Sequence, residues 1–176
     1  MKLDLVAFDE APFAAYLERC ARDGVRFETM ASLGDAGEER RRLYELNRTC
    51  SSDIPGRGPF FSFEEYVTAR LAVPTYAPAG TVVALARDEW IGLAAVSDWR
   101  AKGFAFNEMT GVRADHRGRG VAIAMKLLGI RFARSTGVRW LYTFHAAENA
   151  AAIAMNRRLG YVDADFDEAT LFERGL

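Results

Sequence analysis

The chain has 176 residues, 50% of them hydrophobic and 12% aromatic, enough for one domain with a sizeable core. Its 23 Lys and Arg against 24 Asp and Glu leave a net charge of -1. The basic excess that phosphate neutralisation demands of a nucleic-acid or anionic-membrane binder is therefore missing.

The opening MKLDLVAFDEAPF carries Asp4, Asp9 and Glu10, which does not fit a signal peptide. No apolar run approaches the ~20 residues of a membrane span. Alternation in KLDLVAF predicts a first strand, with Asp9 as the cap of a helix that tolerates Pro12 in its first turn. Phe13, Leu17 and Cys20 share a stripe of that helix, and Gly24 stops it. VRFETM reads as a short strand. Asp35 is expected to open a charged helix with Leu43, Leu46 and Cys50 on its inner face. Cys20 and Cys50 stand far apart without CxxC spacing and read as reduced thiols of a cytoplasmic protein.

The Ser-, Gly- and Pro-rich SSDIPGRGP is a loop, followed by a helix over about 63–73 and the loop PTYAPAG. TVVALAR, WIGLAAVSDW and FAFNEMTGV then read as three strands with short links, an antiparallel meander. From Val121 the period becomes helical. Val121, Met125, Leu128 and Phe132 lie on one face, and Ile123, Leu127 and Ile130 lie nearly opposite, as in a crossover helix packed on both sides. Gly137 ends it, VRWLYTF (138–144) returns as a strand, and a helix over about 150–159 follows. A strand pair, GYVDAD with ATLFE, is expected to close the chain. The class is α/β (α+β), a mixed and mostly antiparallel central sheet flanked by helices.

Arg117-Gly118-Arg119-Gly120 stands directly before the two-faced helix. The first amides of a helix lack intrahelical partners and carry the positive end of its dipole, and glycines let a ligand approach them. Such a loop cradles an anion; the other reading of the same residues is a plain turn. GxxxxGK[ST] is missing, and GRGVAIA lacks the third glycine and the following acid of a dinucleotide fold.

Arg117-Gly118-Arg119-Gly120-Val121-Ala122 resembles the phosphate loop of the GNAT acetyltransferase superfamily, [Q/R]-x-x-G-x-[G/A]. Val112 five residues before Arg117, Asn149, Ala152 and the ending Leu159-Gly160-Tyr161 strengthen the likeness, which covers roughly residue 25 onward. The resemblance implies the acyl-CoA N-acyltransferase fold, in which the fourth and fifth strands (about 104–112 and 138–144) splay apart. It also implies that acetyl-CoA binds without a metal. Residues 117–122 (Arg117, Gly118, Arg119, Gly120, Val121, Ala122) would hold its diphosphate. The backbone of Thr110, Gly111 and Val112 would pair with its arm like an added strand. Asn149 would bond the arm from the opposite wall.

The implied reaction is attack of an amine, from a small molecule or a peptide, on the acetyl thioester, aided by a base and an acid. Glu108 is the candidate base. It sits two residues before Thr110, and residues two apart share a strand face, so both side chains are expected to point together. Many family members carry a tyrosine seven residues after the asparagine, where this chain has Asn156. An amide has no proton to give, so Asn156 reads as a contact to sulfur or arm, or as a satisfied buried amide. Asp53 and His145 are candidate acceptor-side residues, although both also suit ordinary turns. His116 belongs to the phosphate loop. Phe60, Phe61 and Phe63 read as core or as an apolar acceptor wall. Two histidines and two cysteines at no ligand spacing argue against a metal hydrolase.

Residues 1–24 form a strand–helix prefix before a domain of residues 25–176. The prefix pairs across a sheet edge into a homodimer or docks on its own sheet. The loss of the tyrosine keeps a second function open, a CoA-binding or partner-binding module with little catalysis.

Overall fold

The computed structural model describes residues 1–56, 58–164 and 171–173. Six strands, β1 (Lys2–Asp4), β2 (Val25–Thr29), β3 (Thr81–Ala86), β4 (Glu89–Trp99), β5 (Phe104–Val112) and β6 (Trp140–Tyr142), form one sheet in the order β1-β6-β5-β4-β3-β2. Every neighbouring pair is antiparallel except β5 with β6. The helices are α1 (Ala14–Arg22), α2 (Gly37–Ser51), α3 (Phe63–Tyr66), α4 (Val121–Ser135) and α5 (Ala150–Arg158).

Strand alternation sorts the core into two layers. Val82 and Ala84 join Val121, Ala124 and Met125 of α4, whereas Val83 and Leu85 join Leu43 and Leu46 of α2. Along α4, Ile123, Leu127 and Ile130 pack with Val96 and Leu141, and Phe13, Tyr16 and Leu17 pack against that cluster. Both faces of α4 are thus covered, as the two apolar stripes predict. Burial of each such side chain contributes roughly 1.5–3 kcal/mol, so the helix is firmly seated on the sheet.

Several boundaries differ from the sequence reading for local reasons. The first strand stops at Asp4 because its carboxylate accepts the amides of Val6 and Ala7 and turns the chain. Asp9 accepts the amide of Ala11 and starts the 3-10 turn Ala11–Phe13 that precedes α1. Asp35 is no cap of α2. Its carboxylate takes Arg40 at 2.7 Å and the hydroxyl of Tyr76 at 2.8 Å, tying the approach to α2 to the 73–80 loop. Ser62 and Glu65 form a capping box on α3, which widens into a π-turn over Val67–Leu71.

β1 pairs with β6 of its own chain, and Val162 bridges Lys2 on the other side of β1. The prefix therefore docks on the sheet, with α1 packed against α4. Among the described residues the expected closing strand pair is not formed: Val162 bridges Lys2 and Leu171–Glu173 are helical, while residues 165–170, which carry the rest of that expectation, lie outside the described residues. Among the described residues no helix is long and apolar enough to cross a membrane.

Candidate active site

β5 ends at Val112 and leads through a 3-10 turn (Ala114–His116) into Arg117. Gly118 and Gly120 have φ of 77° and 85°, a left-handed conformation that favours glycine, and α4 begins at Val121. No side chain caps the helix, and among the described residues the amides of residues 118–123 donate to no group. Six orphan donors at the positive end of a fifteen-residue helix make an anion cradle.

Arg117 is held at two points: its Nε donates to the Val112 carbonyl at 2.9 Å, and its guanidinium pairs with Asp53 at 2.5 Å. A Cβ on Gly120 would fall 2.5 Å from both Tyr16 and Arg19 of α1, so α1 forms a wall of the loop. Arg19 and Arg158 both stack on Tyr16, at 4.8 and 5.4 Å. Neither Arg19 nor Arg158 was singled out from the sequence. These residues come from elements far apart in the chain, and only the docking of α1 on α4 gathers them.

β5 and β6 pair only from Phe104–Trp140 to Phe106–Tyr142, after which β5 runs on to Val112 without β6. This is the expected splay, opened earlier than the sequence suggested because β6 stops at Tyr142 instead of 144. Several buried side-chain polar atoms lack a partner among the described residues, in β4 (Trp90 Nε1), after β6 and in α5 and the segment that follows it (the Tyr161 hydroxyl). Asn156 of α5 is 3% exposed and its Oδ1 has no hydrogen-bond partner, nor have the two buried ring nitrogens of His145. Asn149 caps α5, accepting the amide of Ala152 at 3.1 Å, which leaves its side-chain NH2 for another acceptor.

Lys126 on α4 was not singled out from the sequence. Its Nζ is buried and bonds the Oδ1 of Asn107 at 2.9 Å, with the Tyr161 ring 5.0 Å away. Burial without a carboxylate pulls its pKa down to about 7. The signal was the one charged residue inside the apolar run VAIAMKLLGI.

A β-bulge corrects the reading of Glu108. Ala95 pairs with Met109 but Val96 pairs with Asn107, so Glu108 is the extra residue of β5. The bulge breaks the alternation. Thr110 stays on the α4 face, where Asn107 reaches its hydroxyl at 3.4 Å. Glu108 and Met109 instead face a cavity of about 530 Å3 between the sheet and the α2–α3 layer. There Ser97 donates to Glu108 at 2.6 Å and Arg70 lies 3.3 Å from it. Phe60 and Phe61 line this cavity, and both pack with Phe63 against the buried cluster of Leu43, Tyr44 and Tyr66. Asp53, paired with Arg117, does not line it. His116 lies 3.6 Å from Asp115, beside the loop. Burial raises the Cys50 thiol to about 11, which leaves it a poor nucleophile. Among the described residues no three His, Cys, Asp or Glu side chains gather as a metal site.

A mixed sheet whose two parallel strands part above a helix N-terminus is the acyl-CoA N-acyltransferase fold, and solved structures share it. A GCN5-related N-acetyltransferase from Sphaerobacter thermophilus matches with a TM-score of 0.60 and 23% identity, over 78% of this chain and 41% of that one. This chain thus spans about two fifths of that protein's length. The ribosomal-protein-S18-alanine N-acetyltransferase from Escherichia coli matches with a TM-score of 0.62 and 17% identity, over 80% and 79%. AAC(6')-Iy, solved with the bisubstrate analogue CoA-S-monomethyl-acetylneamine, gives 0.60 and 20%, over 81% and 94%. No curated protein sequence is a match. The model of the acetyltransferase (GNAT) family matches residues 40–161, and the chain belongs to that family.

Proposed function

We propose that the protein is an N-acetyltransferase that moves the acetyl group of acetyl-CoA to a primary amine of a small molecule or peptide in a ternary complex, acting in the cytoplasm. The observation that carries the reading is the set of unpaired amides at residues 118–123, placed where β5 and β6 part. These residues fit the cofactor. The amides, with Arg117 and Arg119, suit a diphosphate. The backbone of Thr110, Gly111 and Val112 and the amide of Asn149 suit an amide-bearing arm. The orphan Oδ1 of Asn156 and the ring nitrogens of His145 are the buried polar atoms such an arm would satisfy. Gly111 leaves no room for a side chain, since a Cβ there would lie 2.6 Å from that of Cys50.

Acetyl-CoA supplies the acyl carbon and a thiolate leaving group, and the amine nitrogen replaces sulfur on that carbon. Glu108 serves as the base that takes the ammonium proton, directly or through water, from an amine in the cavity it faces. Ser97 and Arg70 fix its carboxylate. Asn156 holds the sulfur side by hydrogen bonding without giving up a proton, and the thiolate leaves unassisted or with water. Asp53 positions Arg117, and His145 borders the arm.

The absence of a titratable group at Asn156 favours a second reading, a CoA-binding module without turnover. Calorimetry with acetyl-CoA, together with thiol release on a panel of amines, decides between them. Binding with thiol release supports the enzyme, binding without release supports the module, and absence of binding sinks both.

A further inference from the structure

The cavity under Glu108 has a chemistry of its own. Phe60, Phe61, Tyr66 and Trp99 give it aromatic walls, with Phe60 5.8 Å from Phe61 and 5.9 Å from Tyr66. Their polar atoms are already engaged. Trp99 Nε1 donates to Ser97 at 2.9 Å, Asn47 donates to the Tyr66 hydroxyl at 3.0 Å, and the Tyr44 hydroxyl pins the Phe61 carbonyl at 2.8 Å. The walls therefore offer preformed apolar faces, and a volume of about 530 Å3 lies within the range of small-molecule sites. Among the described residues that line it, only Arg70 and Glu108 carry charge, and they stand side by side at 3.3 Å.

A polycationic acceptor needs several carboxylates, and here it would meet one carboxylate already faced by an arginine. A simple apolar amine would use Glu108 but would leave Arg70 competing for the same oxygen. A molecule carrying an ammonium and a carboxylate on one carbon replaces the Glu108–Arg70 contact by two, ammonium to Glu108 and carboxylate to Arg70. Its side chain then falls between the aromatic walls.

We infer that the acceptor is a free α-amino acid with an aromatic or bulky apolar side chain, bracketed by Glu108 and Arg70. The inference rests on the reading of Glu108 as the base at the acceptor site, and it adds Arg70 as a specificity-determining residue.

The test uses the whole protein saturated with CoA, titrated calorimetrically with L-phenylalanine, phenethylamine and neamine. L-Phenylalanine is expected to bind at least about tenfold tighter than phenethylamine, with neamine weaker than both. Arg70→Gln should bring phenylalanine and phenethylamine to within about threefold of each other. Equal binding of the two in the unchanged protein, preference for neamine, or a preference that survives Arg70→Gln overturns the inference. Thiol release from acetyl-CoA separates the two levels. Selective phenylalanine binding without release leaves the amino-acid site bracketed by Glu108 and Arg70 standing but removes the transferase reading and with it the acceptor role, whereas release with neamine alone keeps the transferase reading and overturns the inference.

Discussion

The two halves of the candidate site are built in opposite ways. The proposed phosphate loop is one continuous stretch, residues 117–123, and the proposal for it rests on backbone geometry: two left-handed glycines and the unpaired amides of a helix start. The proposed acceptor cavity is assembled from α2, the 60–77 region and three strands, and the proposal for it rests on side chains that meet only after folding. A backbone site depends on glycine spacing and helix position, both of which are written locally. A side-chain site depends on register, and one bulge is enough to change it.

Variants can break each half separately. The largest effect is expected at the loop: Arg117→Glu removes a cation and adds an anion where six amides await a diphosphate. Calorimetry should show acetyl-CoA affinity reduced at least ~100-fold, with circular dichroism unchanged. Retained affinity would place the cofactor elsewhere. In the cavity, Glu108→Gln should lower kcat/KM by roughly 100- to 10,000-fold, the usual weight of a general base, while acetyl-CoA affinity stays within about twofold. A loss of affinity instead of rate would remove Glu108 from catalysis. Asn156→Ala should lower kcat by less than about tenfold, because an amide offers no proton to the departing sulfur. A collapse comparable to that of Glu108→Gln would show that the amide does more than position.

A separate effect lies beneath both halves, in stability alone. Lys126 has a folded pKa of about 7 against 10.5 for the free side chain. Between those values the unfolded chain binds the extra proton, so this group makes stability rise with pH, by up to ~1.4 kcal/mol per pH unit. Below pH 7 both states are protonated and the burial cost is fully present. Lys126→Met should therefore raise urea stability most at pH 6 and flatten its increase toward pH 10. An unchanged slope would mean that the amine is solvated in the folded protein.

The loop and most of the fold were legible in the sequence because they obey local rules. The period-2 strands, the two stripes of α4 and the RGRGVA pattern each specify their own geometry. The splay was legible through the resemblance, and the structure shows it as a three-pair parallel ladder. What was not legible depends on partners. Glu108 and Thr110 should share a face by alternation, yet pairing with β4 skips a residue at Glu108 and turns it to the other layer. Asp53 reads as an acceptor-side carboxylate near a proline turn, but the fold returns that loop to Arg117. The sequence leaves the prefix two options, a second copy or its own sheet, and β1 takes the second by pairing with β6 of the same chain. Tyr16 and Arg19 reach the loop only through the packing of α1 on α4.

The claim beneath all of this is that the free N–H groups at the start of α4 receive the diphosphate. Amide chemical shifts followed by 15N–1H spectra during a CoA titration report on it directly. The account predicts that residues 118–123 show the largest, saturating shifts, and that the same titration of Arg117→Glu leaves them in place. Tight CoA binding with those resonances unmoved would contradict it.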